Sequence, residues 1–220
     1  MRTIGCLDTV TAAAVAVIGL AGCSGPVSGV AVAADPVTVA TAPVAPSSMT
    51  RPVPIEELVD TAAADAAAFW RAEGLTIAYA IYRDFDLSCA GVAGRGRAVW
   101  CTRLDGGPTK LKYDPIRMQR QRELGGDLAV EIIIAHEMGH GAQEADGLLE
   151  AYRSENNQEL SADCAAGTFI RSRYPGVSPD EQGRALAATA LGEYPERIAA
   201  FNAGFTGATA PMACLTDYLR

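Results

Sequence analysis

The chain has 220 residues, 49% of them hydrophobic, which is enough for one domain with a core of its own. Its formal charge of −8 and pI near 4.8 argue against nucleic acid as a partner, because phosphates would be repelled. Neither value speaks against a peptide substrate, and no internal repeat is evident.

Arg2 precedes an apolar run from Val10 to Gly22 that ends in small residues. The run is too short to span a bilayer comfortably and has the length of a signal-peptide core, so residues 1–22 are expected to be an export signal. The stretch Leu20-Ala21-Gly22-Cys23 resembles a bacterial lipobox. The resemblance implies cleavage before Cys23, acylation of that cysteine and a membrane anchor outside the cytoplasm. An ordinary secretory peptide with an incidental cysteine is the competing reading. Residues 23–51 are mostly Ala, Val, Pro, Thr and Ser, and Pro26, Pro36, Pro43 and Pro46 interrupt any regular element. They are read as a disordered tether, leaving residues 52–220 as the folded domain.

Pro52-Val-Pro-Ile55 introduces a predicted helix from about Ile55 to Ala72, ended by Gly74. Leu58, Ala62, Asp65 and Phe69 form one stripe, with Val59, Ala66 and Trp70 beside it. Leu75 to Tyr82 is rich in β-formers and predicts a strand. A loop follows through Gly91, Gly94 and Gly96, where Arg95 and Arg97 read as solvated. Ala98–Arg103 and Thr109–Tyr113 predict two short strands around the turn Asp105-Gly-Gly-Pro108. The alternation Lys110, Leu111, Lys112, Tyr113 suits an edge strand with one wet face. Such an edge beside a catalytic helix can accept an extended peptide; a plain edge guarded by lysines fits equally well. Pro115–Leu124 is a charged, helical lead-in to the histidine-bearing stretch of the chain.

The centre of the sequence is Asp127-Leu-Ala-Val-Glu-Ile-Ile-Ile-Ala-His136-Glu137-Met-Gly-His140-Gly141. Asp127 is expected to cap a helix that Leu128–Ala135 buries and Gly141 stops. His136 and His140, the only two histidines of the chain, then share one face. Two imidazoles at this spacing can hold one zinc ion, and Glu137, about a third of a turn round, can take a proton from the water that the metal activates. A buried helix that happens to carry two histidines is the structural alternative.

A zinc site of this kind needs a third protein ligand. With no further histidine it must be a carboxylate or Cys164. Residues 143–157 are polar, loop or short helix, and Asn157-Gln-Glu-Leu-Ser-Ala-Asp-Cys164 runs into an apolar helix over Ala165–Arg171. Glu159 with Asp163 one turn later suits a ligand plus an acceptor that orients an imidazole. The rival is Asp146, six residues after His140. Asp146 stands where the metzincin pattern places a third ligand, but Glu159 is favoured, because that pattern requires a glycine where this chain has Gln143, to turn the chain back to the metal.

Glu159 and Asp163 following His136-Glu137-x-x-His140 resemble the gluzincin pattern of thermolysin-like metalloproteases. More closely, three blocks resemble a family of bacterial neutral zinc metallopeptidases. They are His136-Glu-Met-Gly-His-Gly-Ala-Gln143, Glu159-Leu-Ser-Ala-Asp-Cys-Ala-Ala-Gly167, and Arg197-Ile-Ala-Ala-Phe201 before Gly204. The likeness covers the layout of roughly residues 52–220 and is specific in these blocks alone. It implies an α+β, zincin-like fold, mostly helical with a small sheet beside the metal-binding helix. It further implies one zinc held by His136, His140 and Glu159, with Glu137 as base and Asp163 behind the ligands. The family often has a histidine before the Arg197 block that this chain lacks. Tyr194 occupies that part of the chain and is a candidate donor to a developing oxyanion, with a packing tyrosine the favoured alternative.

Once Cys6 leaves with the leader and Cys23 carries lipid, Cys89, Cys101, Cys164 and Cys214 remain. An even number in an oxidising compartment indicates disulfides, and four cysteines allow three pairings. The favoured set is Cys89–Cys101, closing a Gly- and Arg-rich loop, with Cys164–Cys214 tying down the C-terminus. The expected function is a zinc peptidase of the bacterial cell envelope, extracytoplasmic and lipid-anchored, acting on a peptide or protein. Two alternatives stand beside it: a non-catalytic envelope assembly or binding protein on the same scaffold, and a zinc amidase acting on cell-wall peptides. Glu137 beside both histidines favours an enzyme, since a purely structural zinc needs no base.

Overall fold

A computed structural model describes residues 52–89, 96–102 and 109–219. The expectations placed on residues 1–22 and 23–51, including the Cys23 anchor, lie outside these residues, as do Arg95 and the turn at 105–108. The described domain is α+β and mostly helical, with a small three-stranded sheet.

The first helix, α1, spans Ile55–Ala72, as its apolar spacing predicts. Its buried face is Ile55, Leu58, Val59, Ala62, Ala63, Ala66, Ala67 and Trp70. Asp65 and Phe69 lie at the margin of that face, because the small side chains of Ala63 and Ala67 admit closer packing on the core side. The strand expected over 75–82 shrinks to β1, Ala80–Arg83. It pairs in parallel with β3, Lys110–Tyr113, which pairs antiparallel with β2, Ala98–Cys101.

The order β1-β3-β2 makes β3 the central strand and overturns its reading as an edge. The alternation is real: Leu111 and Tyr113 are buried while Lys110 and Lys112 face outward. It reports one wet face of the sheet rather than a free edge. Lys112 lays its stem on that face. Its ammonium bonds Asp84 Oδ2 at 3.0 Å and the carbonyls of Asp86 and Ser88 at 3.4 and 3.0 Å. The edges belong to β1 and β2.

Helix α2, Pro115–Gly125, starts where Asp114 accepts from the amides of Ile116 and Arg117 at 2.9 and 3.1 Å. Helix α3, Asp127–Ala145, is capped by Gly126; Asp127 is its first residue and pairs with Arg122 at 2.6 Å. Gly141 does not stop α3. The helix continues to Ala145 and ends at Gly147, whose φ of 72° is one a side chain rarely adopts. Gly141 instead clears space for the Trp100 ring, 2.7 Å from where a Cβ would stand. Almost every residue of α3 from Leu128 to Gln143 is buried, so α3 is the axis of the domain.

Ser154 caps α4, Glu155–Arg173, one unbroken helix that begins before Asn157. Then come α5 (Pro179–Ala188), α6 (Pro195–Phe205) and α7 (Pro211–Thr216), each with proline in its first turn. Helices α1, α2, α4 and α5 and strand β2 pack around α3, while α6 and α7 pack on α4. Both expected disulfides are present, Cys89–Cys101 and Cys164–Cys214, each with Cα atoms 5.4 Å apart. Among the described residues no helix is long and apolar enough to cross a membrane.

Candidate metal centre

Two helices build the centre. His136 and His140 project from one face of α3, and Glu159 reaches them from the first turns of α4. The approach depends on Gly139, where a Cβ would stand 3.0 Å from the Ala162 carbonyl and 3.1 Å from its Cα. Glu159 lies one turn before Ala162, so close contact at Gly139 delivers its carboxylate to the histidines. Ligand atoms of the three residues all lie within 4.8 Å of one another.

The orientation of each imidazole is set from behind. His136 Nδ1 lies 2.8 Å from Asp163 Oδ1, and His140 Nδ1 lies 2.9 Å from Gln143 Oε1. Gln143 is fixed in turn, its amide donating to the Gln158 carbonyl at 2.8 Å. Both acceptors place a proton on Nδ1 and leave Nε2 to face forward. The Nε2 atoms of His136 and His140 each stand 3.2 Å from an oxygen of Glu159. Two nitrogen lone pairs and a carboxylate turned on one another require positive charge between them, from protons or from a cation.

That requirement shifts the ionisation of both partners. Burial depresses the His136 pKa, but Asp163 and Glu159 outweigh it and hold it at about 10. Burial raises Glu159, yet its bonds to His136 and His140 carry it far below the usual carboxylate range. A divalent cation meets the same demand with both imidazoles neutral. Two imidazole nitrogens and one carboxylate oxygen, each oriented by a partner, are a donor set suited to zinc.

Arg197, at the start of α6, completes the arrangement. Its Nε and Nη2 donate to Asp163 Oδ2 and Oδ1 at 2.6 and 2.8 Å, a two-pronged pair around a fully buried carboxylate. Nη2 also lies 3.0 Å from Glu159 Oε2, and 3.4 and 3.5 Å from the ring nitrogens of His136. Sequence reasoning placed Arg197 in a block of resemblance but gave it no role. No local signal marks it, because Arg197 meets Asp163 across 34 positions of sequence.

Glu137 sits beside the histidines, buried, and its Oε2 accepts the Trp100 amide proton at 2.8 Å. Burial raises its pKa, against the lowering effects of His136, His140 and the Trp100 amide. The Trp100 indole donates to Glu144 Oε2 at 2.7 Å, and Thr109 Oγ1 bonds the same carboxylate at 3.1 and 3.2 Å. Strand β2 is thus locked to α3 at its backbone and at its side chain. Trp100 and Gln143 were missed in the sequence, since neither residue type announces a backbone or relay role.

A cleft of about 1220 Å³ opens over the centre, walled by β2, α2 and the start of α6. Tyr194 lies on its rim, 48% exposed. Asp146 ends α3 at the surface and is not part of the histidine group. Cys164 is committed to a disulfide, which removes it from the candidate ligands. Compared with models of known protein families, with curated proteins and with solved structures, the chain matches none.

Proposed function

We propose that residues 52–220 are a zinc-dependent peptidase with a zincin-like fold, working outside the cytoplasm. The observation that carries the reading is one geometric unit. His136, His140 and Glu159 converge with both Nδ1 atoms already engaged, and Glu137 is held beside them by the Trp100 amide. A structural metal site has no use for that second, separately anchored carboxylate. The two disulfides support an oxidising compartment, in keeping with the export signal and the lipid anchor read at Cys23.

His136, His140 and Glu159 would hold the metal. A bound zinc ion supplies a Lewis acid for the scissile carbonyl and lowers the pKa of water. Glu137 then does the proton work. With Oε2 fixed by Trp100, Oε1 is left to accept a proton from the attacking water and pass it to the leaving amine. Burial raises its proton affinity in the direction that task requires. Asp163 and Arg197 keep His136 in one tautomer, and Tyr194 on the cleft rim supplies a hydroxyl to the developing oxyanion.

Substrate lies along β2. The Asp114 amide bonds the Arg97 carbonyl at 3.0 Å, so Arg97, Val99 and Cys101 turn their backbone groups to β3. Ala98 and Trp100 then turn theirs to the cleft. The Trp100 amide is taken by Glu137, which leaves both groups of Ala98 and the Trp100 carbonyl for an extended peptide. The test is metal analysis of the whole purified chain together with cleavage of a peptide library. Wild type and Glu137→Gln are each expected to carry one zinc, with cleavage by wild type alone. A metal-free wild type, or equal cleavage by Glu137→Gln, would overturn the proposal.

A further inference from the structure

We propose that the end of the cleft where β2 begins is a carboxylate subsite made by Arg97, Arg117 and Arg120. It selects peptides that place an acidic side chain or a free C-terminal carboxylate there. The inference rests on the peptidase reading for the remainder of the substrate.

Three arginines line one end of the cleft of a chain whose formal charge is −8. They come from two elements: Arg97 directly precedes β2, and Arg117 and Arg120 stand on α2. Arg117 is held in place, its Nη1 donating to the Gly96 carbonyl at 2.9 Å and its Nε 3.2 Å from Asp114 Oδ2. Gln121, with its amide turned to donate to the Ala188 carbonyl, accepts from Arg97 Nε at 3.3 Å. Gln121 is neutral, and Arg120 forms no ion pair among the described residues. Among the described residues Asp114, which also caps α2, is thus the one carboxylate in ion-pair contact with any of the three guanidinium groups, and positive charge is left over toward the cleft.

Arg197, a further arginine of the cleft lining, is engaged by Asp163 and Glu159. Toward α4 and α6 the lining carries Glu155, Glu193 and Glu196, so a substrate carboxylate is repelled there and drawn to the arginines. Guanidinium groups suit this role because their paired N–H donors match a carboxylate.

The geometry also sets the position. Trp100 lies against Glu137, and Arg97 is three residues earlier, directly before the strand. At about 3.3 Å per residue that is roughly 10 Å, so the selected carboxylate sits about three residues from the scissile bond.

The experiment uses the whole chain carrying Glu137→Gln, loaded with zinc, and fluorescent peptides in which one glutamate is scanned along a neutral host. Each peptide is made with a free and with an amidated C-terminus. Anisotropy should show one glutamate position binding at least 10-fold tighter than its glutamine counterpart, and wild type should cleave about three residues from it. If tightening tracks only the free terminus, the terminal carboxylate is the ligand. The double variant Arg97→Gln/Arg120→Gln should lose the gain while neutral peptides bind as before. A flat scan with both termini, a gain that survives in the double variant, or no binding of any peptide would overturn the subsite. Zinc content measured on the same samples separates the two readings. Acid-dependent binding by a chain that takes up no zinc would sink the peptidase and keep the subsite.

Discussion

Asp163 shows how one side chain carries both stability and chemistry. It is fully buried, accepts two bonds from Arg197 and orients His136. Arg197→Ala would leave that buried carboxylate with the His136 ring alone as its partner, and is expected to destabilise the domain by about 1–3 kcal/mol in chemical denaturation. Zinc titration separates the roles around the centre. Glu159→Ala is expected to empty the site, since it removes one of three ligands, and Asp163→Ala to weaken zinc about 10- to 100-fold. Asp146→Ala, at the exposed end of α3, is expected to change nothing, and loss of zinc in that variant would reinstate the rival ligand. At this scale legibility depended on sequence distance. His136, Glu137 and His140 were readable because a helix fixes their relation within one turn. Trp100 reaches Glu137 across 37 positions and Arg197 reaches His136 across 61, and no local pattern encodes such meetings.

Elements were legible where one face alone is buried. Helix α1 was placed to its ends, because apolar spacing and Gly74 bound it. Strand β3 is legible as a strand but not as the central one, since alternation is the same for any strand with one wet face, and pairing order is a tertiary fact. Helix α3 hid its terminus for a related reason: Gly141 resembles a stop, while its use is contact with Trp100. Helices α4 and α6 cross on glycine. A Cβ at Gly204 would lie 2.1 Å from the Cys164 carbonyl, and one at Gly167 equally close to that of Phe201. Gly204→Ala must therefore push backbone from backbone, and should cost about 1–3 kcal/mol or more by denaturation. It should also weaken zinc, because α6 carries Arg197; unchanged stability would refute the close crossing. Glu131 ties α3 to the end of α4 by accepting from the Tyr174 hydroxyl, with Arg173 Nε 3.7 Å away. Burial raises its pKa despite those partners, so the folded state holds this proton more tightly than the unfolded chain does. Its contribution is therefore most favourable at acid pH and is lost as pH rises from the ordinary carboxylate range through the raised value. Glu131→Gln is expected to remove that slope, being at least as stable as wild type at neutral pH and losing the advantage in acid. Parallel stability profiles of the two proteins would refute the assignment.

At the scale of the whole domain, separate links join the parts that the centre needs together. Cys164–Cys214 closes a stretch of 50 residues between α4 and α7, worth about 4 kcal/mol in the chain-entropy description. Cys89–Cys101 anchors the strand whose Trp100 amide holds Glu137. The centre itself draws α3 and α4 together, because its donors are divided between them. Apart from a cation, the Glu159 carboxylate is balanced by Arg197, 3.0 Å away, and by His136, whose pKa is raised to about 10. A metal that binds the folded domain and not the unfolded chain stabilises it by mass action, about 4 kcal/mol when free metal exceeds its Kd roughly 1,000-fold. Zinc should therefore raise the melting temperature of the wild-type chain by several degrees, and a chelator should reverse the rise. Two variants show where the effect originates. Glu137→Gln touches no ligand and should keep the full zinc-dependent shift, although it is expected to be inactive. Glu159→Ala should lose the shift and melt at one temperature with or without zinc. A shift retained in Glu159→Ala would place the bound metal elsewhere in the chain, and the His136–His140–Glu159 assignment would fall with it.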